Sequence, residues 1–161
     1  MFKLGKLTDY GTVVMTALAA RPDAMRNAHD LAAETHVAAP TVSKLLKQLQ
    51  KSGLVESVRG AHGGYRLARK PELITVADVV SALEGPIALT QCSVHDGGCS
   101  IESHCGVRGN WRLINTAIRQ ALESVTLAQM AEPMRGRRPT GTDSPMNFLR
   151  KLGQSLPQAQ E

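Results

Sequence analysis

The feature that most constrains the fold is a change of hydrophobic period at Gly53. Before this glycine, four apolar residues recur at the i, i+3, i+4, i+7 spacing of a helix with one apolar face: Val42, Leu45, Leu46 and Leu49. After it, two short extended runs, residues 54–59 and 65–69, are joined by the glycine-rich segment 60–64. This arrangement predicts an amphipathic helix followed by a β-hairpin with a glycine-rich tip.

Three more helices are predicted around this unit. Apolar residues at i, i+3, i+7 and i+11 predict a first helix that ends near Pro22: Leu7, Tyr10, Val14 and Leu18. Asn27, with Asp30 three residues later, has the spacing of a helix cap and predicts a short second helix. Thr75 and Asp78 repeat that spacing, so a fourth helix is expected to follow the hairpin.

The order of these elements is that of a winged helix-turn-helix. A helix, a short helix, a four-residue turn, a third helix and a hairpin follow one another, with Pro40 at the first position of the third helix. Aromatic residues make up 3% of the chain, so the core has to be aliphatic and is expected to be helical. We therefore predict a mainly α fold with a small β-hairpin wing, in which a winged helix-turn-helix is followed by a long dimerisation helix.

The exposed face predicted for the third helix suits DNA. Short hydrogen-bonding side chains lie near its start and cations lie further along, as in a recognition helix that enters the major groove. These residues are Thr41, Ser43, Lys44, Lys47, Gln48 and Lys51. The hairpin is expected to add contacts to the DNA backbone or minor groove, with its glycines allowing close approach, from Arg59, His62, Gly63 and Arg66.

The distribution of charge favours the same partner. The formal net charge is +5, from 19 Lys and Arg against 14 Asp and Glu. Residues 1–70 hold eleven of these cations and five of the acids, which leaves eight cations against nine acids in residues 71–161. The excess positive charge therefore lies in the predicted DNA-binding domain and points to double-stranded DNA as partner, although a basic face can also be merely well solvated.

Three cysteines, the only ones in the chain, are spaced as Cys92-x6-Cys99-x5-Cys105. An odd number excludes a closed set of disulfides. The sequence has no signal-peptide pattern and no apolar run of the roughly 20 residues that span a bilayer, so we expect a cytoplasmic protein with reduced thiols. Gaps of six and five residues are wide for a structural zinc knuckle, and they suit a loop around an iron–sulfur cluster better.

An apolar stripe with steps of three and four follows the cysteines and predicts a long helix: Trp111, Ile114, Ile118, Ala121 and Val125. This is the spacing of two helices that lie side by side, so it predicts a homodimer, with packing on the chain's own core as the alternative. The predicted division is a winged helix-turn-helix at 1–70, a linking helix at 71–91, a cluster-binding loop at 92–106, a dimerisation helix with a short cap helix at 107–132 and a disordered tail at 133–161.

Three motifs together resemble one known family. They are the opening KLTDY at 6–10, the run RGAHGGYRLA at 59–68, and the three cysteines followed by a helix that begins near a tryptophan. In these the chain resembles the bacterial Rrf-type (IscR/NsrR-like) winged-helix iron–sulfur transcription regulators over about residues 1–132. The opening KLTDYG and the histidine at 62 look most like the branch that regulates the Suf operon for iron–sulfur cluster assembly.

The resemblance implies an iron–sulfur cluster, with [2Fe–2S] favoured over [4Fe–4S], on Cys92, Cys99 and Cys105. The fourth ligand is open. One branch of the family uses a histidine three residues after the last cysteine, but Arg108 stands there in this chain and cannot bind metal. In the nitric-oxide-sensing branch an aspartate of the other subunit completes the site, and Asp9 matches it; the alternatives nearer to the cysteines are His104 and His95.

The leading hypothesis is a DNA-binding transcription regulator, expected to act on iron–sulfur cluster assembly (Suf) genes, whose affinity for its operator is controlled by the cluster. Two alternatives fit the same residues: a nitric-oxide or redox-sensing repressor of the same family, and a zinc-stabilised structural or interaction module. The sequence has no phosphate-binding loop, no nucleophile elbow and no His-Glu-x-x-His motif. We therefore expect neither an enzyme nor a small-molecule substrate, and the operator, the sign of regulation and the physiological signal are left open.

Overall fold

The computed structural model of the chain describes residues 4–60, 63–90, 100 and 104–132. Within these ranges the chain forms helices α1 (Lys6–Ala19), α2 (Ala28–Thr35), α3 (Ala39–Lys51), α4 (Val76–Glu84), α5 (Arg108–Glu123) and α6 (Leu127–Ala131), with strands β1 (Val55–Val58) and β2 (Gly64–Leu67) between α3 and α4. The predicted fold class, mainly helical with a small hairpin, is confirmed. No helix in this part of the chain has the length and hydropathy needed to cross a bilayer.

Side-chain caps start three of the helices, and those of α2 and α4 are the ones that the sequence spacing predicts. Asn27 accepts a hydrogen bond from the backbone N–H of Asp30, at 2.8 Å, and begins α2. Thr75 and Asp78 form a reciprocal capping box at the start of α4, and Thr126 forms another with Gln129 at the start of α6. In α3, Pro40 occupies the second position and Ala39 the first, one residue later than expected; both positions tolerate a residue without an N–H.

The stripe of α3 forms the centre of the core. Its four apolar residues are completely or almost completely buried: Val42, Leu45, Leu46 and Leu49. They pack in one cluster with buried residues of α1 and with Leu31 of α2. Leu7, which the sequence places in the α1 stripe, is 39% exposed, because in the first turn of α1 it is Thr8 that faces the body of the protein.

The hairpin is antiparallel, with Val55 opposite Leu67 and Val58 opposite Gly64. The strands differ from the predicted runs 54–59 and 65–69, because the ladder of paired residues covers only 55–58 and 64–67. A further pairing joins the hairpin to Arg26: this residue and Tyr65 of β2 exchange two backbone hydrogen bonds, at 2.9 and 2.8 Å. This bridge fixes the hairpin against the segment that leads into α2.

After α5 the chain returns to the body. The carbonyl of Val125 accepts a hydrogen bond from the N–H of Val76, at 2.9 Å, and the N–H of Leu127 donates to the carbonyl of Ile74, at 2.8 Å. The side chain of Leu127 is completely buried in the core of the winged domain. The C-terminal end of α5 is thereby attached to the half of the molecule that carries α3.

Candidate nucleic-acid interface and thiol segment

The face of α3 opposite its leucine stripe is basic and open to solvent. Lys44, Lys47 and Lys51 are exposed, and Ser43 beside them is half-buried. Together with Pro40 and Gln48 these side chains line a shallow groove along the helix. Helix α3 contains no acidic residue, so nothing on the helix itself offsets the three ammonium groups. Thr41, also half-buried, lies in the first turn.

Gln48 is the residue of this set that the sequence misplaces. Its side-chain amide does not point to the open face; it donates hydrogen bonds to the carbonyls of Ala82 and Leu83, at 3.2 and 3.0 Å. These carbonyls belong to the last turn of α4, where no further helical N–H groups are available to satisfy them. Gln48 therefore connects α3 to α4, and periodicity within α3 carries no signal of such a contact.

Of the two arginines in the described part of the hairpin, Arg59 has no ion pair and Arg66 has one. Arg59 is exposed at the end of β1, next to Gly60. Arg66 is exposed too, but it forms an ion pair across the hairpin with Glu56, which reduces the positive charge that it offers to a ligand. His62 lies outside the described residues.

Gly63 has a geometric reason to be glycine. Its N–H donates to the carbonyl of Gly60, at 2.9 Å, which closes the tip of the hairpin. A Cβ atom at position 63 would lie 2.2 Å from the carbonyl oxygen of Val58, closer than any side chain tolerates. The glycine predicted to allow an approach to DNA is thus required first by the hairpin itself.

Arg26 is a buried cation that the sequence analysis missed. It forms an ion pair with Glu34 of α2, and another nitrogen of its guanidinium is buried without a hydrogen bond. The hydrogen bond from Arg26 holds the pKa of the Glu34 carboxyl below its ordinary value, with the positive charges of Arg26 and Arg21 adding to this effect and burial opposing it. No local pattern identifies such a pair, because Arg26 lies in the segment before α2 and Glu34 lies in the last turn of that helix.

The thiol segment, residues 92–105, is described only at position 100 and at its end. Cys105 is half-buried, is not part of a disulfide, and lies three residues before α5; its carbonyl accepts a hydrogen bond from the N–H of Arg108, at 3.3 Å. Cys92, Cys99 and His95 lie outside the described residues. Among the residues that are described, no three His, Cys, Asp or Glu side chains come together as a metal site.

The two described candidates for the fourth ligand are both exposed. Asp9 lies in the first turn of α1, and its N–H donates to the carbonyl of Gly5, at 3.2 Å. His104 precedes Cys105 in the segment before α5. The Asp9 ligand is predicted to come from a second subunit. A contact between Asp9 and Cys105 is therefore not expected within one chain.

Helix α5 is attached to the preceding segment through a polar side chain. Asn115 clasps the preceding segment: its amide donates to the carbonyl of Ile87 and its oxygen accepts from the N–H of Leu89, both at 3.2 Å. No residue of α5 is buried. Trp111 is 39% exposed and Ile114 43% exposed, so the described part of the chain leaves the stripe uncovered. None of the stripe residues is buried by the described part of the chain, and the dimer stays a prediction.

The remaining stripe residues are covered to different extents. Ala121 is exposed, and Ile118 and Val125 are half-buried. An amphipathic helix without a buried residue is unusual for a helix that belongs to one compact core, since burial of the apolar face is what normally stabilises it. The stripe is therefore an apolar surface that the described residues cover only in part.

Comparison with known proteins gives a consistent picture over the described region. The profile of the family named Rrf2, described as an iron-dependent transcriptional regulator, matches residues 4–133. The chain is 33% identical over 129 residues to the protein rrf2 of Nitratidesulfovibrio vulgaris, a match that covers 80% of this chain and 86% of that protein.

Solved structures give the same result. The global cysteine regulator CymR of B. subtilis aligns with a TM-score of 0.65 at 30% identity, covering 81% of this chain and 97% of the other. T. potens IscR aligns with a TM-score of 0.60 at 32% identity, covering 80% and 85%. These relatives are transcription regulators and not enzymes.

Proposed function

The chain belongs to the Rrf2 family of transcription regulators, and from this premise we propose that it is a cytoplasmic, homodimeric repressor whose affinity for operator DNA is set by an iron–sulfur cluster. We further propose that it regulates iron–sulfur cluster assembly (Suf) genes, as the resemblance of its opening and hairpin motifs implies. The observation that carries the DNA-binding part is the basic, solvent-exposed face of α3, held by a completely buried leucine stripe beside the hairpin.

The proposed contact with DNA follows from the chemistry of that face. Thr41 and Ser43, near the start of α3, have the short hydroxyls that suit base edges or phosphates in the major groove. Lys44 and Lys47 would neutralise phosphates further along the helix, and release of the counterions they displace would make binding depend strongly on salt. At the hairpin, Arg59 is proposed as the main contact to the backbone or minor groove, and Arg66, His62 and Gly63 are the other proposed contacts.

The proposed dimer places two such faces on one operator. The stripe Trp111, Ile114, Ile118, Ala121 and Val125 would pack against the same stripe of a second copy, which removes exposed apolar area from water. Because the end of α5 is fixed to the winged domain through Val125 and Leu127, the dimer contact would also set the distance between the two α3 helices. A fixed distance between recognition helices selects the spacing of half-sites.

The proposed cluster ligands are Cys92, Cys99 and Cys105, with Asp9 of the second copy as the fourth. Cys105, the described one, fits this role: it is half-buried, is not part of a disulfide and lies three residues before α5. When bound, such a cluster supplies an iron centre that responds to oxidants, nitric oxide and iron supply. The chain's own contribution is to join the thiol segment to α5 on one side and to α4 on the other.

The test is a paired measurement on protein isolated without air. Iron and acid-labile sulfide are determined together with the absorption spectrum, which also distinguishes [2Fe–2S] from [4Fe–4S]. Duplex DNA taken from the promoters of the organism's own cluster-assembly genes is then titrated with loaded and with metal-free protein. We expect iron and sulfide in equal amounts and a clear difference in affinity between the two forms.

Three results would contradict parts of the proposal. Colourless protein with one equivalent of zinc would favour a zinc-stabilised module. Equal affinity of loaded and metal-free protein for every duplex would remove the cluster as a control of DNA binding. Loss of the cluster by nitric oxide, with stability towards iron limitation, would favour the nitric-oxide sensor of the same family. A Cys105→Ser variant serves as the control for loading, since it should keep the fold and lose the iron.

A further inference from the structure

The last turn of α4 is held by α1 and α3 at the same time. We call this contact region the α4 junction; it consists of Ala82, Leu83 and Glu84 with the groups that bind them. On the side of α3, the amide of Gln48 donates to the carbonyls of Ala82 and Leu83. These two hydrogen bonds connect the helix that bears the basic face directly to the helix that precedes the thiol segment.

On the side of α1, Glu84 replaces a missing helix cap. Gly5 stands at the N-cap position of α1 and has no side chain to satisfy the first N–H groups. The carboxylate of Glu84 accepts from the N–H of Gly5, at 2.7 Å, and from the hydroxyl of Thr8, which is completely buried. A negative charge at this end of the helix is also favourable for the α1 dipole.

Close packing fixes the junction further. A Cβ atom at Gly11 of α1 would lie 2.2 Å from Cδ1 of Leu83 and 3.4 Å from Leu45 of α3. The absence of a side chain at position 11 thus lets Leu83 enter between α1 and α3. The last turn of α4 cannot shift by a large fraction of an ångström without disturbing one of these contacts, because packed interiors have little free space.

The chain between the junction and the thiols is short. Gly85 follows Glu84 in a left-handed conformation, at φ 93°, and Cys92 comes eight positions after Glu84. Within this stretch the backbone at Ile87 and Leu89 is clasped by Asn115 of α5. The stretch between Glu84 and Cys92 can therefore absorb little of a displacement of the thiol segment. Most of such a displacement reaches the last turn of α4.

We propose that Gln48 is a positioning residue that transmits the state of the thiol segment to the basic face of α3 through the last turn of α4. The inference rests on the proposed function, since it assumes that loading of the thiols changes DNA affinity. A displacement of the α4 carbonyls is passed to α3 most directly through a directional bond, and the amide of Gln48 provides two. Because the coupling is a free energy between two sites, DNA bound to α3 acts on the thiol segment through the same residue.

The test compares two affinities in each of three proteins. Duplex DNA is titrated by fluorescence anisotropy with cluster-loaded and with metal-free protein, and the ratio of the two Kd values is the measure of coupling. The variant Gln48→Met keeps the length of the side chain and removes the amide. The control Gln50→Met makes the same change on the same helix, at an exposed residue whose amide donates to Ser57 of the hairpin, at 2.8 Å, and not to α4.

In the wild-type protein and in Gln50→Met we expect a ratio that differs from one by about 5-fold or more, the lower end of typical allosteric couplings. In Gln48→Met the ratio should fall close to one, while the absorption spectrum of the loaded form stays unchanged. An unchanged spectrum is the readout that separates lost coupling from lost loading. If Gln48→Met does not fold, Gln48→Asn serves instead, because it keeps the amide but shortens its reach.

The two possible failures differ in the data. A wild-type ratio of one overturns both the cluster control and the transmission. A wild-type ratio far from one that persists in Gln48→Met overturns only the role of Gln48 and leaves the proposed function standing.

Discussion

Ile74 and Leu127 are joined by a backbone hydrogen bond of 2.8 Å, and both side chains are completely buried. Ile74 precedes α4 and Leu127 opens α6, so the bond closes the chain on itself after the excursion through the thiol segment and α5. Beside it, Thr75 and Thr126 pair in an isolated β-bridge. These contacts fix the C-terminal end of α5 on the winged domain. The buried side chain of Leu127 anchors them in the core.

Leu127→Ala should therefore destabilise the whole chain and not only α6. Truncation of a completely buried leucine costs roughly 2–5 kcal/mol, the transfer free energy plus the cavity left behind. The measurement is urea unfolding followed by circular dichroism. Met130→Ala, on the same short helix but 41% exposed, is the control and should cost less than about 0.5 kcal/mol. Equal effects of the two changes would mean that α6 is not docked as described.

Gly64→Ala should destabilise the hairpin. A Cβ atom at position 64 would lie 2.7 Å from the carbonyl oxygen of Arg26, a backbone atom that is fixed by the two hydrogen bonds to Tyr65. Forcing the strands apart costs about 1–3 kcal/mol, as in other overpacked sites. Gly109→Ala is the matched control: its Cβ would meet no neighbour, and in α5 alanine should stabilise by up to about 1 kcal/mol. The melting temperature should therefore fall in Gly64→Ala and rise in Gly109→Ala.

Local features of the fold were predictable from the sequence, and long-range contacts were not. The caps at Asn27, Thr75 and Thr126 depend on residues three positions apart, so their spacing is sufficient to place the starts of three helices. The buried stripe of α3 follows from its period in the same way. Gln48 and Leu127 show the limit. Each has a partner tens of residues away, and only the packing of α4 and α6 determines that a glutamine leaves the solvent face and that a cap helix enters the core.

The candidate site divides along the same line. The basic face of α3 could be predicted, because amphipathicity determines which lysines stay in water. The pairing of Arg66 with Glu56 and of Arg26 with Glu34 could not, since neither pair is spaced by a helical or strand repeat within one element. Glu84 as the cap of α1 is the extreme case. Its partner Gly5 is 79 residues away, and neither residue type announces such a contact.

Lys47→Ala should weaken binding to all duplexes by a similar factor and should reduce their salt dependence. Lys47 is exposed on the basic face of α3, so it is expected to neutralise one phosphate. Removal of one such contact lowers the slope of log Kd against log salt concentration by about 0.9. The slope is obtained from anisotropy titrations at several salt concentrations. Lys6→Ala, an equal loss of charge at the start of α1, should leave the slope nearly unchanged.

The Arg26–Glu34 pair should contribute to stability in a pH-dependent manner. The pKa of Glu34 is lowered in the folded chain by the hydrogen bond from Arg26, below its model-peptide value of 4.5. A carboxyl with a depressed pKa in the folded state stabilises above its unfolded pKa, and this stabilisation is lost as the pH falls through the folded pKa. Unfolding free energies should therefore drop more steeply below about pH 4.5 in the wild-type protein than in Glu34→Gln. Parallel pH profiles would show that the ion pair is too well solvated to matter.

Ile114→Glu should abolish the proposed dimer without unfolding the chain. Ile114 lies in the middle of the uncovered stripe of α5 and contributes nothing to the core, since no residue of α5 is buried. In a dimer the two carboxylates would face an apolar interface, which is costly because an unpaired charge loses its hydration. Gln120→Glu introduces the same charge at an exposed position off the stripe, where it should have no effect on association.

Sedimentation equilibrium gives the mass of each variant, and circular dichroism reports the helix content. We expect monomeric Ile114→Glu with wild-type helix content, and DNA affinity reduced because one winged domain alone cannot engage two half-sites. A dimeric Ile114→Glu would place the contact between subunits elsewhere. A monomeric wild-type protein would contradict the proposed dimer.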